Sequence, residues 1–146
     1  MSTAPEPAIR WRIHLRSSPA QVFERLATAG GRRSFWAQSA EQRGDEIEFV
    51  FLSGQRLQST VHECRPPDRF TLSYFQGSRV TFELEPDGTG GTDLTLTEEG
   101  VPAGERDDNL AGWVAVLLTL KAAVDFAVDL RNHDARRTWV QGYVDV

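Results

Sequence analysis

Between Ile9 and Leu96 the chain alternates apolar and polar residues with a period of two, over and over, and turn chemistry cuts each run short. Ile9, Trp11, Ile13 and Leu15 alternate with Arg10, Arg12, His14 and Arg16, which gives a strand one apolar and one wet face. The pattern returns at Ile47, Phe49 and Phe51, along Arg56 to Cys64, and at Phe70, Leu72 and Tyr74. It returns again at Val80, Phe82 and Leu84 and at Leu94 and Leu96. Ser53-Gly54, Pro66-Pro67-Asp68, Gln76-Gly77 and Pro86-Asp87-Gly88 punctuate these runs. Links this short leave no room for a crossover helix, so the strands are predicted to be antiparallel neighbours. Such a sheet needs something to cover its apolar face.

The cover is supplied by the stretch after Gly100. Asp107-Asp108 put negative charge where a helix N-terminus favours it, and the residues from Leu110 to Leu130 are apolar over a long span. Leu110, Trp113, Leu117, Leu120, Val124 and Ala127 form the face expected on the sheet, while Val116, Leu118, Ala123 and Phe126 lie elsewhere on the circumference. Lys121, Asp125 and Asp129 form the polar stripe. Charges inside a membrane span cost about 2.5–3.5 kcal/mol each, so the stretch reads as a buried helix. An apolar surface this wide calls for a second cover, either the tail with Trp139, Val140, Tyr143 and Val144 or a second subunit.

The first strand is followed by Ser18-Pro19-Ala20-Gln21, an N-cap with proline at the first helical position and a glutamine placed to close a capping box. Val22, Phe23 and Leu26 continue that helix, Gly30-Gly31 is expected to break it, and Arg32 to Ala40 is expected to form a second short helix and a loop. The predicted organisation is a loose arm over residues 1–7, one domain over 8–130 and a C-terminal extension over 131–146 that packs on it.

At 146 residues the chain suits one domain that buries about 70% of its unfolded surface. A formal charge of −5 with only isolated pairs such as Arg32-Arg33 excludes the basic stripe that a phosphate backbone requires, so no nucleic-acid partner is expected. The lone Cys64 makes no internal disulfide, and no signal-peptide pattern opens the sequence. The expectation is a cytoplasmic protein without a membrane partner.

Several segments together resemble one family. They are Ser18 to Phe23, Trp36, Glu63 with Pro66-Pro67-Asp68-Arg69-Phe70, Gly90 to Leu96, and Gly112-Trp113 with Leu117, Leu120 and Lys121. In this order they resemble the START-like (SRPBCC) superfamily, in the branch named after the activator of heat-shock protein 90 ATPase. The resemblance spans about Ile9 to Leu130 and implies an α+β helix-grip fold: a curved antiparallel sheet around a long C-terminal helix, with two short helices after the first strand. It also implies a cavity between sheet and helix that holds hydrophobic or amphipathic ligands. The namesake's chaperone stimulation relies on a further N-terminal domain and is not carried over. The chain departs from the branch at Arg43-Gly44-Asp45, where many members have a glycine pair, and its tail resembles a bacterial subgroup without an assigned function.

The residues expected to line a ligand site are Trp36, Phe49, Phe51, Ser59, Glu63, Tyr74, Phe82, Trp113 and Leu117. Ser59 and Glu63 share parity with Leu57 and Val61, which would turn a hydroxyl and a carboxylate into an apolar interior; Tyr74 shares parity with Phe70 and Leu72. A competing reading pairs Glu63 with Arg65 or Arg69 near the strand end and leaves Tyr74 as core. His14, His62 and His133 are too scattered for a zinc motif, Asn132-His133-Asp134 has no nucleophile spaced to join it, and Gly88 to Gly91 precedes a strand. No metal, cofactor or catalytic residue is assigned. The leading expectation is binding of a small hydrophobic or amphipathic molecule. The alternatives are a cyclase or dehydratase using a cavity carboxylate, and a stress-related interaction protein, possible as a homodimer.

Overall fold

The computed structural model describes residues 7–145, so the expected arm over 1–7 lies outside the described residues except for Pro7. Strands β1 (Ile9–Leu15), β2 (Ser39–Arg43), β3 (Glu46–Val50), β4 (Arg56–Arg65), β5 (Arg69–Ser73), β6 (Arg79–Pro86) and β7 (Thr92–Glu99) form one antiparallel sheet. Its order is β1-β7-β6-β5-β4-β3-β2. The chain leaves β1 at one edge, crosses through α1 (Pro19–Ala27) and α2 (Ala29–Arg33) to the other edge, and meanders back until β7 pairs with β1. Helix α3 (Arg106–Phe126) follows. This is the helix-grip architecture: a curved sheet with short helices after the first strand and a long helix near the end.

The alternation works as expected on most strands. Ile47, Phe49, Phe70, Leu72, Val80, Phe82, Leu84, Leu94 and Leu96 are all buried on the face that meets the helices. Ser18 caps α1 through the backbone N–H of Gln21, and the Gln21 side chain returns to the Ser18 N–H at 3.0 Å.

Three expectations are corrected. Gly30-Gly31 does not break a helix but lies within α2; Thr28 ends α1 and caps α2 by accepting from Gly31 N–H at 2.9 Å. A Cβ on Gly31 would lie 2.5 Å from both Arg25 Cα and Glu24 O, so the glycine lets two helices touch backbone to backbone. The second short helix stops at Arg33, and residues 39–43 form β2, an edge strand whose polar Ser-Ala-Glu-Gln-Arg sequence carries no alternation. Helix α3 ends at Phe126 rather than continuing towards Leu130, because Ala127 adopts a left-handed φ of 54° and its N–H closes on Ala123 O.

By length and composition α3 is apolar enough to cross a membrane, yet Trp113, Val116, Leu117, Leu120 and Ala123 lie in the core. Its polar residues have structural partners: Lys121 Nζ donates to His14 O at 2.6 Å, and the Asp125 carboxylate accepts from Arg16 N, Ser17 N and Ser17 Oγ at 3.0, 3.1 and 2.7 Å. These bonds pin the helix C-terminus to the end of β1. Val114, Leu118 and Phe126 remain exposed on the opposite side.

Candidate functional site

The concave face and α3 enclose a set of aromatic rings built around Trp36, which sits just after α2 and is fully buried. Its ring lies 4.8 Å from Phe49, 5.6 Å from Phe82, 6.0 Å from Tyr74 and 6.1 Å from Trp113. The strand parity of Phe49, Phe82 and Tyr74 aims them inward, and α3 lowers Trp113 and Leu117 onto them. Phe51 stacks on Phe49 at 5.8 Å and carries the cluster towards Phe75 and Trp139 of the tail. Eight of the nine expected lining residues therefore face this interior or its rim, and in the structure their side chains fill it. Trp36 is the centre of the packing.

Glu63 is the exception. Between Val61 and Glu63 the register of β4 against β5 shifts, so that Val61 pairs with Leu72 but Glu63 with Thr71. The extra residue reverses the parity of everything beyond it. Glu63 therefore lies on the outer face, 2.6 Å from Arg69 Nε, and Arg69 also reaches Glu83 at 3.5 Å. The competing reading, an ion pair with Arg69, is what the structure shows.

The carboxylate inside is Glu98, a residue that the strand patterns did not single out. It is fully buried on β7 in the parity of Leu94 and Leu96, a signal present in the sequence but masked by the turn-like Glu-Glu-Gly that ends the strand. Glu98 Oε2 accepts from Ser78 Oγ at 2.6 Å; Oε1 accepts from Trp113 Nε1 at 2.8 Å and Asn109 Nδ2 at 3.2 Å. The loop before β6 and the first turns of α3 converge on it.

Two more polar groups face the rings. Tyr74 Oη accepts from Trp36 Nε1 at 3.1 Å, and among the described residues its own proton has no acceptor. Burial raises the phenol above its ordinary pKa, the Trp36 N–H acts in the opposite sense, and the Glu98 charge adds to the rise. Ser59 Oγ is fully buried with no hydrogen-bond partner among the described residues. Ser59 pairs with Ile47 on one side, and the β4–β5 register sets it alongside Tyr74 on the other.

Beneath α2, Arg32 is also fully buried, donating to Leu26 O at 3.0 Å and Ala40 O at 2.9 Å. Burial lowers its pKa to about 10, against the opposing charge of Glu41. Its partners, two main-chain carbonyls and the Gln42 side-chain oxygen at 3.4 Å, tie α1 to β2, which makes it a structural residue. Past α3 the chain runs back under α2. Arg131 donates to Ala37 O at 3.0 Å and Arg33 O at 2.8 Å, and His133 Nε2 lies 2.6 Å from Asp129. Asp129 is held well below the usual carboxylate range by Arg131 first and His133 next, against a burial effect of opposite sign. Two open concavities lie outside the sheet and α3: about 370 Å³ beside α1 and α2, and about 470 Å³ between α2 and this tail. The second is lined by Arg33, Asp129, Arg131 and His133, among which the Asp129 charge is already paired.

A sequence profile described as activator of Hsp90 ATPase homolog 1-like protein matches residues 3–125. Among curated proteins none matches. Solved structures share the fold. SSP2350 from Staphylococcus saprophyticus superposes with a TM-score of 0.74 at 20% identity, over 86% of this chain and 96% of that one. The Aha1 dimer from Colwellia psychrerythraea gives 0.74 at 21% identity, over 83% and 98%. DynU16, from the dynemicin biosynthetic locus, gives 0.72 at 20% identity over 86% of this chain but 49% of its own.

Proposed function

Because the chain belongs to the family of activator of Hsp90 ATPase homolog 1-like proteins, in which small hydrophobic ligands are commonly bound, we propose that it binds a small amphipathic molecule between the concave sheet and α3. The observation that carries this reading is the hydroxyl of Ser59, fully buried on the concave wall without a partner among the described residues. Leaving such a group unsatisfied costs about 1–3 kcal/mol, a penalty a ligand would remove. Tyr74 adds a proton with no acceptor among the described residues, and Glu98 takes the place of Glu63 as the interior carboxylate. Because rings fill the interior, a ligand enters by parting the half-buried Tyr74 and Phe75, which sit at a hairpin where Gln76 and Gly77 have positive φ. The lining is then Trp36, Phe49, Phe51, Ser59, Tyr74, Phe82, Trp113 and Leu117.

Native mass spectrometry of the purified protein should reveal a retained compound, or a panel of aromatic metabolites and fatty acids should raise its melting temperature. Neither a retained mass nor a shift across the panel would remove the proposal.

A second reading concerns assembly. Val114, Leu118 and Phe126 on α3 and Val128, Leu130 and Val140 beyond it are exposed, and the Colwellia relative is a dimer. A homodimer through this face would run at twice the monomer mass in light scattering, and Leu118→Glu would return it to monomer; a wild-type monomer at high concentration would dispose of it.

A further inference from the structure

Resting on the ligand-binding reading, we infer that the molecule bound is a small organic cation, an amine or ammonium carried on an apolar body, with its charge set against Glu98. Glu98 is fully buried, and its hydrogen-bond partners Ser78, Asn109 and Trp113 are all neutral. Among the described residues no arginine, lysine or histidine nitrogen comes within 4.0 Å of it. A carboxylate taken out of water normally has a cation beside it, because neutral donors orient the charge without cancelling it. The start of α3 offers roughly half a unit of positive charge, already shared with Asp107 and Asp108 in its first turn.

The interior next to Glu98 is aromatic, and Trp113 meets the carboxylate with its N–H edge. Trp113, whose N–H holds the carboxylate, lies 4.9 Å from Tyr74 and 6.1 Å from both Trp36 and Phe82. The face of such a ring attracts a cation through its quadrupole, so a ligand charge that meets one of these rings face-on is favoured with the same sign as at the carboxylate. The partners of Glu98 also place it close to the surface: Ser78 follows the Phe75–Gly77 turn, and Asn109 is half-buried. Around that end lie Glu99, Glu105, Asp107 and Asp108. Among the cations at that end, Arg106 donates its guanidinium to the carbonyls of Pro7 and Ala8, and Arg79 and Arg10 are exposed, opposite Glu99 and Thr97. The unpartnered Ser59 hydroxyl, across the cluster and beside Tyr74, is then free for a hydrogen-bonding group at the other end of the ligand.

The test compares three probes that share a ring and differ in head group, phenethylamine, 2-phenylethanol and phenylacetate, by calorimetry and thermal shift at pH 7. Phenethylamine should bind at least tenfold more tightly than 2-phenylethanol, and phenylacetate should give no shift. Glu98→Gln should bring the amine down to the level of the alcohol. Should that variant fail to fold, the head-group ranking on the wild-type protein decides alone. Alcohol binding as tightly as amine, or phenylacetate binding at all, would overturn the cation while leaving the pocket in place. No binding by any of the three overturns it as well, and the broad panel described above then shows whether the pocket falls with it.

Discussion

Replacing Ser59 by alanine should make the ligand-free protein more stable, the reverse of the usual result for a buried position. The hydroxyl is fully buried and has no partner among the described residues, so removing it releases a desolvation penalty of about 1–3 kcal/mol. Only one oxygen is lost, and at about 24 cal/mol per Å³ a void of roughly 10–15 Å³ gives back about 0.3 kcal/mol. The net expectation is a gain of about 1 kcal/mol. With an unfolding entropy of about 2.1 cal/mol/K per residue over 146 residues, that gain corresponds to a rise of about 3 °C in Tm. Scanning calorimetry and urea denaturation should agree, with the urea m value unchanged because the same surface is exposed on unfolding. The same variant should bind any interior ligand more weakly, so its effects on stability and affinity should oppose each other. A loss of 1 kcal/mol or more would show that the hydroxyl is satisfied in the folded protein and would remove the argument that it awaits a ligand.

Gly31→Ala should destabilise by about 1–3 kcal/mol or more, since its Cβ would meet the backbone of Arg25 and Glu24 at 2.5 Å, whereas Gly30→Ala meets nothing within 4 Å and should be neutral or gain up to about 1 kcal/mol; chemical denaturation separates the two. Arg131→Ala leaves Arg33 O and Ala37 O without their buried donor, and should speed trypsin cleavage at the exposed Arg136 and Arg137; an unchanged rate would mean the tail is held elsewhere. Burial pushes the Asp125 carboxyl up, but hydrogen bonds from Arg16 N and Ser17, helped by Lys121, outweigh it and hold the group below its ordinary value. A depressed folded-state pKa adds stability that is complete above about pH 4 and is lost as pH falls through the folded value. Asp125→Asn should therefore cost stability at pH 7 and flatten the decline below pH 4, and parallel wild-type and variant curves would refute the assignment.

Where local rules governed the outcome, the sequence could be read directly. Ser18, Pro19 and Gln21 declare a helix start because the capping box is built within four residues, and the parity of Phe70, Leu72, Val80 and Phe82 declares the concave face. The failures have non-local causes. A one-residue shift after Val61 turned Glu63 outward, and a bulge leaves no mark in an Arg-Leu-Gln-Ser-Thr-Val-His-Glu pattern. Strand β2 exists because β3 pairs with it from Ser39 to Arg43, not because its own residues alternate. Ala127 ends α3 in a conformation that usually calls for glycine or asparagine, so nothing local marked that end. For the site, Trp36, Phe49, Tyr74 and Trp113 were legible as large apolar residues at inward positions. Glu98 was legible by parity alone, but its partners Ser78 and Asn109 come from loop and helix placements that only the assembled fold defines.

The pairing of the first strand with the last sets an order of events on the ribosome. Ile9 lies opposite Glu98 and Leu15 opposite Thr92, so the opening segment emerges long before its partner has been synthesised. Until then Ile9, Trp11 and Ile13 have no sheet to join, and the nascent chain carries an unpaired sticky ribbon through most of translation. Strands β3 to β6, linked by short turns, can assemble meanwhile, whereas the interior around Glu98 closes only when the two ends of the domain meet. A product truncated before Thr92 would thus hold much of a sheet and no closed interior, and its stranded opening segment would be an aggregation hazard for the quality-control machinery to clear.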